Sequence, residues 1–312
     1  PLADILDGFL LGEAEAVLDP FLDACQETQG LERGKALLRL AQRVRGFYAP
    51  CLYQPAYAPD GALAAFDPLA EVPRRVAVPK YQGPASGLAR SVFHAQGPQF
   101  GDMALIEVGR GCGHACRFCA AGHVYRPPRL GRAADFLEAA QEAARQWGRV
   151  GLVSAAVSDM EDIENLAARV LQEGGKLSVS SLRADRLGPG LVKALAQSRH
   201  QTVALAPEAG GERLRRVINK HLAEDDLLKA AELLIRGGVP NLKLYFMVGL
   251  PGETDDDVAE LIGLARRLRQ QVVSAAVQRG HLGQVTVSLN AFVPKPWTPF
   301  QWQAMAPLKL IK

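Results

Sequence analysis

Long apolar runs are missing from this 312-residue chain. Even the rich stretch 227–235 is interrupted by Lys229 and Glu232 and ends at Arg236 and Gly237, well short of the ~20 residues a membrane-spanning helix needs. An excess of one charge is missing too. Thirty-six Lys+Arg against 33 Asp+Glu leave +3, too little to mark a membrane surface and an argument against an RNA-binding one. The opening PLADILDGFLLGEAEAVL has no basic n-region, apolar core or cleavage site of a secretory leader. A chain that starts on Pro1 reads as one truncated upstream. Cysteine is scarce: there are five, an odd number, and three fall within eight residues, at Cys112, Cys116 and Cys119. That is a poor layout for a disulfide framework, and it points to a reducing cytoplasm. Internal repeats and low-complexity tracts are also lacking.

What is present is apolar material for a large core, 48% hydrophobic residues against 22% charged, which excludes disordered and collagen-like classes. From about residue 101, short β-branched or apolar runs alternate with stretches of helical period. Strands are predicted at 103–108, 151–157, 176–182, 201–206, 242–250 and 284–292. Between them lie helices at 134–148, 162–175, 189–198, 211–219, 225–238 and 254–272. Strand followed by helix, with six strands in all, implies parallel crossovers, an α/β sheet or barrel, with its chemistry at the carboxyl ends of the strands. Thr254 with Asp255, Asp256 and Asp257 reads as a helix start. Gly174–Gly175 and Gly237–Gly238 read as helix stops. Residues 36–100 are rich in Pro, Tyr and Ala without sustained period and read as a connector between an N-terminal segment, 1–35, and the core, 101–312.

The loop GRGCGHACRFCAAG follows the first of these strands. Cys-x3-Cys-x2-Cys gathers three soft thiolates, a donor set for iron–sulfur or zinc and not for calcium or magnesium. Zinc would need a fourth ligand such as His114 or His123, and a closed four-cysteine cluster a fourth thiolate. Three thiolates leave one iron of a [4Fe–4S] cluster open.

With Phe118 as the aromatic before its last cysteine, this loop resembles the signature of the radical S-adenosylmethionine (SAM) enzymes. The resemblance implies a partial (β/α)6 TIM-like barrel and a [4Fe–4S] cluster on Cys112, Cys116 and Cys119. It further implies SAM chelating the open iron, one-electron cleavage to a 5′-deoxyadenosyl radical, and an electron donor such as flavodoxin or ferredoxin. At the second strand end, Ser158-Asp159 stands where many members carry a Gly-Gly-Glu type motif for the SAM amino group. Asp159 suits that role or the N-cap of a helix starting near Glu161. The third strand end offers Ser180, Ser181 and Arg183 to a carboxylate, or Arg183 to an ion pair with Asp185. At the fourth, Glu208 is a ribose-hydroxyl acceptor and Arg213 a second carboxylate candidate. At the fifth, Gly249 in KLYFMVGLPGET resembles the family's segment beside adenine.

The segment AFVPKPWTPFQW either roofs the barrel mouth or covers core, while Arg126, Arg129 and Arg132 either attract an anion or are solvated. Taken in order, EVGRGCGHACRFCAAG, SSLRADRL, LAPEAGGERLRRVINK, KLYFMVGLPGET and FVPKPWTPFQW look like a cobalamin-binding type of radical SAM protein. In that group a Rossmann-like cobalamin domain precedes the barrel, and FLLGEAEAVL resembles its final strand and helix. The resemblance thus implies cobalamin in a full-length protein, although no Asp-x-His-x-x-Gly loop occurs in these residues. A radical enzyme modifying an unknown substrate, by methylation for instance, stands against a cluster or zinc protein without radical chemistry. A tRNA methylthiotransferase-like enzyme is a third reading.

Overall fold

The computed structural model describes residues 2–93, 95, 97, 100–277, 279–280 and 282–311. The chain divides into two compact units, one up to Gly83 and one from Pro84. In the first, strand β1 (Phe9–Leu10) pairs antiparallel with β2 (Phe47–Tyr48), and helices α1 (Ala14–Glu27) and α2 (Arg33–Arg43) pack together. Their core is Ala24, Leu40, Ala41, Val44, Phe47 and Ala49. A hairpin of β3 (Tyr53–Tyr57) and β4 (Leu63–Pro68) follows, with Tyr53 stacked on Phe66 at 5.0 Å between ring centroids. The stretch 36–100, read above as a connector, therefore carries most of α2 and this hairpin, and the division between the units falls inside it.

The second unit is an α/β partial barrel. Six strands lie parallel in two sets of three. The first set is β5 (Ala104–Glu107), β8 (Arg149–Val153) and β9 (Lys176–Val179). The second is β10 (Thr202–Glu208), β11 (Asn241–Val248) and β12 (Val285–Ala291). Between β5 and β8 come the short β6 (Gly109–Arg110), α3 (Ala121–Val124) and β7 (Arg129–Leu130). Among the described residues no ladder joins β9 to β10 or β12 to β5, so the barrel is open. The connecting helices are α4 (Ala133–Trp147), α5 (Ile163–Gln172), α6 (Pro189–Gln197), α7 (Glu212–Val217), α8 (Glu224–Gly237) and α9 (Asp255–Val277), and α10 (Leu308–Ile311) closes the unit.

The six parallel strands and the helices between them form where their patterns call for them. β11 alternates half-buried and buried side chains, with Leu242, Leu244 and Phe246 fully buried, the period of two a strand requires. Helices α4 to α6 present Phe136, Ala140, Leu166, Val170, Leu191 and Leu195 to one continuous core with Leu152 and Leu205. Each fully buried Leu or Phe contributes about 1.5–3 kcal/mol through removal from water. Gly148 and Gly238 end α4 and α8 in the left-handed conformation, and Gly174 follows α5 at φ +77°. Helix α9 runs past the predicted 272 to Val277 because Ala275 and Ala276 continue its buried stripe. Among the described residues no helix is long and apolar enough to cross a membrane.

Candidate active site

The cysteine loop leaves the carboxyl end of β5, and its base is closed by β6 pairing with β7. Gly109 is required there, since a Cβ would lie 2.6 Å from Leu130 Cδ1 and 2.9 Å from Arg129 O. Cys116 is buried, and Cys112 and Cys119 are half-buried. The three thiols interact electrostatically: burial pushes the Cys116 thiol up, Lys220 opposes this, and Cys119 and Cys112 push it further up. Among the described residues no three His, Cys, Asp or Glu side chains close on a single-ion site.

Both loop histidines have their Nε2 engaged within the protein. His123 Nε2–H donates to Cys116 O at 3.1 Å, and His114 Nε2 lies 2.5 Å from Asp159 Oδ2. The loop is held by the last residue of α7 and the residues that follow it. Arg117 N donates to Ile218 O at 2.9 Å and its guanidinium to Val217 O at 2.5 Å. The Asn219 amide donates to His114 O at 3.2 Å and Ala115 O at 3.0 Å. Phe118 packs on a small core of Ala209, Leu214, Ile218, Leu250, Phe292 and Phe300.

The polar candidates fall into two groups. Asp159 belongs to the first. It lies in a 3-10 turn (Val157–Asp159) after β8, and while Oδ2 meets His114, Oδ1 is buried with no partner. It does not cap α5, which starts after Asp162. Glu208 is the second member. Its backbone is left-handed at φ +65°, uncommon for a residue with a side chain and a mark of functional strain. Burial raises the Glu208 carboxyl above its ordinary range, and Lys220, 3.4 Å away, draws it back.

The other candidates are engaged within the protein. Ser158 Oγ accepts from Arg183 N at 2.9 Å. Ser180 and Ser181 hydroxyls both donate to Ser154 O, at 2.9 and 2.8 Å, tying the ends of β8 and β9 together. Arg183 grips Asp185 with two bonds of 3.0 Å and also donates to His221 O, the ion pair left open by the sequence. Arg213 pairs with the buried Asp257 at the start of α9 and donates to Gly252 O at 2.9 Å. Asp257 in turn accepts from Thr254 N and Oγ1, each at 2.8 Å, so the predicted cap hydroxyl donates to Asp257. Gly249 has φ +75°, and a Cβ there would lie 2.7 Å from Ala306 Cβ, so the close neighbour of its open face is the C-terminal segment.

That segment covers core and also exposes its indoles. Phe292 and Phe300 meet edge-to-face at 5.9 Å, whereas Trp297 and Trp302 are 77% and 87% exposed. Of the loop arginines, Arg126 Nε donates to Gly122 O at 2.7 Å and Arg132 pairs with Asp135 at 3.2 Å. Lys220 and Asn219 are site residues the sequence reasoning passed over. The signal was present: Asn just after a helix is a frequent left-handed residue, and both end the LAPEAGGERLRRVINK stretch.

The Radical SAM superfamily profile matches residues 106–265, just over half of the chain and the span from β5 into α9. The chain belongs to the radical SAM superfamily. It is 38% identical over 204 residues to an uncharacterised protein of Methanocaldococcus jannaschii, covering 65% of this chain and 43% of that one. It is also 29% identical over 243 residues to the ribosomal protein uS12 methylthiotransferase RimO of Cutibacterium acnes, covering 70% and 49%. The chain thus spans less than half the length of these curated relatives. Among solved structures it is similar to the cobalamin-dependent SAM radical enzyme OxsB with aqua-cobalamin bound, at 14% identity and a TM-score of 0.48 over 83% of this chain and 36% of that one. Radical SAM membership makes this an enzyme and implies a [4Fe–4S] cluster and SAM. The residues fit both: a loop of three soft thiols suits iron and sulfide, and the unpartnered Asp159 Oδ1 suits an ammonium donor.

Proposed function

We propose that Cys112, Cys116 and Cys119 hold a [4Fe–4S] cluster, and that the chain binds SAM beside it and cleaves it reductively to modify an unidentified substrate. The observation that carries this reading is the three-thiol loop at the carboxyl end of β5, with the buried, unpartnered Asp159 oxygen beside its His114. When bound, the cluster supplies the single electron that breaks the SAM sulfonium bond. The chain's own residues bind and orient. Asp159 Oδ1 accepts from the SAM amino group, and His114 holds the other oxygen so that the carboxylate cannot turn away. Glu208, beside Lys220, accepts from the ribose hydroxyls. Phe118, Phe292 and Phe300 keep water from beneath the loop.

The test is anaerobic incubation of the iron- and sulfide-reconstituted protein with dithionite and SAM. 5′-Deoxyadenosine is expected, and its absence from a protein with a full cluster overturns the radical reading. Cys116→Ala removes colour and product together, while Cys51→Ala leaves both. Methylation is the reaction outcome we favour, supported by the order of motifs shared with the cobalamin-binding type, and cobalamin then belongs to the full-length protein. Methylthio transfer is the second reading, supported by the match to the uS12 methylthiotransferase. SAM with an isotopic methyl separates them, since the second product gains sulfur with the label. Air-sensitive chemistry of this kind supports a reducing cytoplasm as its location and a donor such as flavodoxin or ferredoxin as its partner.

A further inference from the structure

Asn219 holds a left-handed backbone, φ +57°, immediately after the turn that ends α7. Its amide donates to two successive carbonyls of the cysteine loop, those of His114 and Ala115, more than a hundred residues away in sequence. His221 Nε2–H donates to Asn219 Oδ1 at 2.8 Å and so fixes which edge of the amide faces the loop.

A peptide unit is planar and trans, so its carbonyl and its N–H point in opposite directions. The His114 carbonyl shares a peptide with the Ala115 N–H, and the Ala115 carbonyl with the Cys116 N–H. Drawing both carbonyls toward Asn219 therefore turns both N–H groups away from it, side by side. Ala115 itself is left-handed at φ +53°. A left-handed residue is one half of the αR–αL pairing in which successive amides converge into an anion-binding concavity. Among the described residues neither N–H is matched to a backbone acceptor, although Ala115 is half-buried and Cys116 is buried. A polar group buried without a partner costs free energy unless something occupies the place.

We propose that Asn219 is a positioning residue that aims the Ala115 and Cys116 amides at the anionic sulfur of the iron–sulfur group. It thereby raises the reduction potential of that group. Hydrogen bonds to cluster sulfurs stabilise the more negative, reduced state and are one of the levers a protein has over potential. The proposal rests on the cluster reading of Cys112, Cys116 and Cys119. It adds a role for a residue outside the SAM contacts proposed above.

The test is an EPR-monitored redox titration of the reconstituted protein without SAM, with iron counted per chain. Asn219→Gly keeps the left-handed backbone without strain and adds no charge, so it removes only the amide. The expected result is a full cluster whose one-electron reduction is about tenfold less favourable, a shift of about 59 mV to lower potential. A full cluster at the unsubstituted potential overturns the proposal. If Asn219→Gly holds no iron, the same titration on His221→Ala decides, because that variant leaves the amide in place and frees its orientation. A smaller shift in the same direction supports the proposal, and none overturns it. An unsubstituted protein that takes up no iron overturns the function reading and this inference together, and it shows in the parent chain before any variant is made.

Discussion

Lys220 Nζ and Glu208 Oε1 stand 3.4 Å apart with side chains only 13% and 15% exposed, an ion pair between the strained end of β10 and the residues that grip the cysteine loop. Burial raises the Glu208 carboxyl, and Lys220 and Lys295 oppose that rise. A carboxyl raised on folding binds its proton more tightly in the folded state. Its contribution to stability is therefore complete below the unfolded value, about 4.3, and is lost as pH climbs through the higher folded value. Glu208→Gln has no such loss. Its melting temperature relative to the parent is expected to rise with pH from about 4 toward neutrality, as thermal melts across that range will show, and a constant difference contradicts the buried-carboxyl account.

Asp159→Asn removes the charge behind the unpartnered oxygen while keeping the shape of the side chain. A hydrogen bond to a charged group contributes about 1.5–3 kcal/mol, so SAM affinity is expected to fall at least about tenfold. Equilibrium binding of SAM to the cluster-loaded protein measures this. Unchanged affinity removes Asp159 from the SAM contacts.

Phe300→Ala opens a cavity under the cysteine loop, where Phe300 packs edge-on to Phe292 and its N–H donates to Arg117 O at 3.2 Å. A loss of about 3 kcal/mol is expected in urea unfolding. Trp302→Ala, 87% exposed in the same segment, is expected to stay within about 0.5 kcal/mol. Equal losses would mean that the indole is covered in solution.

Gly249→Ala meets two obstacles, a positive φ and the Ala306 Cβ at 2.7 Å. A destabilisation of about 1 kcal/mol or more is expected. Adding Ala306→Gly in the same chain recovers the steric part alone, so the double variant remains below the parent in stability. Full recovery would assign the whole cost to contact with the C-terminal segment.

The order of strands and helices could be read from the chain because its signals are local. The predicted helix 134–148 forms as Ala133–Trp147 with Gly148 as its left-handed stop. The thiol loop was equally visible, since three cysteines share eight residues. The roles of single polar groups were not. Arg213 finds Asp257 44 residues away, and Ser181 finds Ser154 27 away, and no periodicity reports such pairings. Asp159 and Asp162 look alike as helix starts in sequence. The 3-10 turn decides between them, leaving Asp162 at the helix and turning Asp159 to His114. Asn219 escaped notice because its importance lies in carbonyls it reaches across the fold.

The missing ladder between β9 and β10 divides the candidate site between two halves of the polypeptide. The thiols and Asp159 come from the half that precedes Thr202, whereas Glu208, Lys220 and the gripping residues 217–219 come from the half that follows it. A fragment ending at β9 would keep Cys112, Cys116 and Cys119 and lose the backbone and side-chain partners at residues 217–219 that hold their loop.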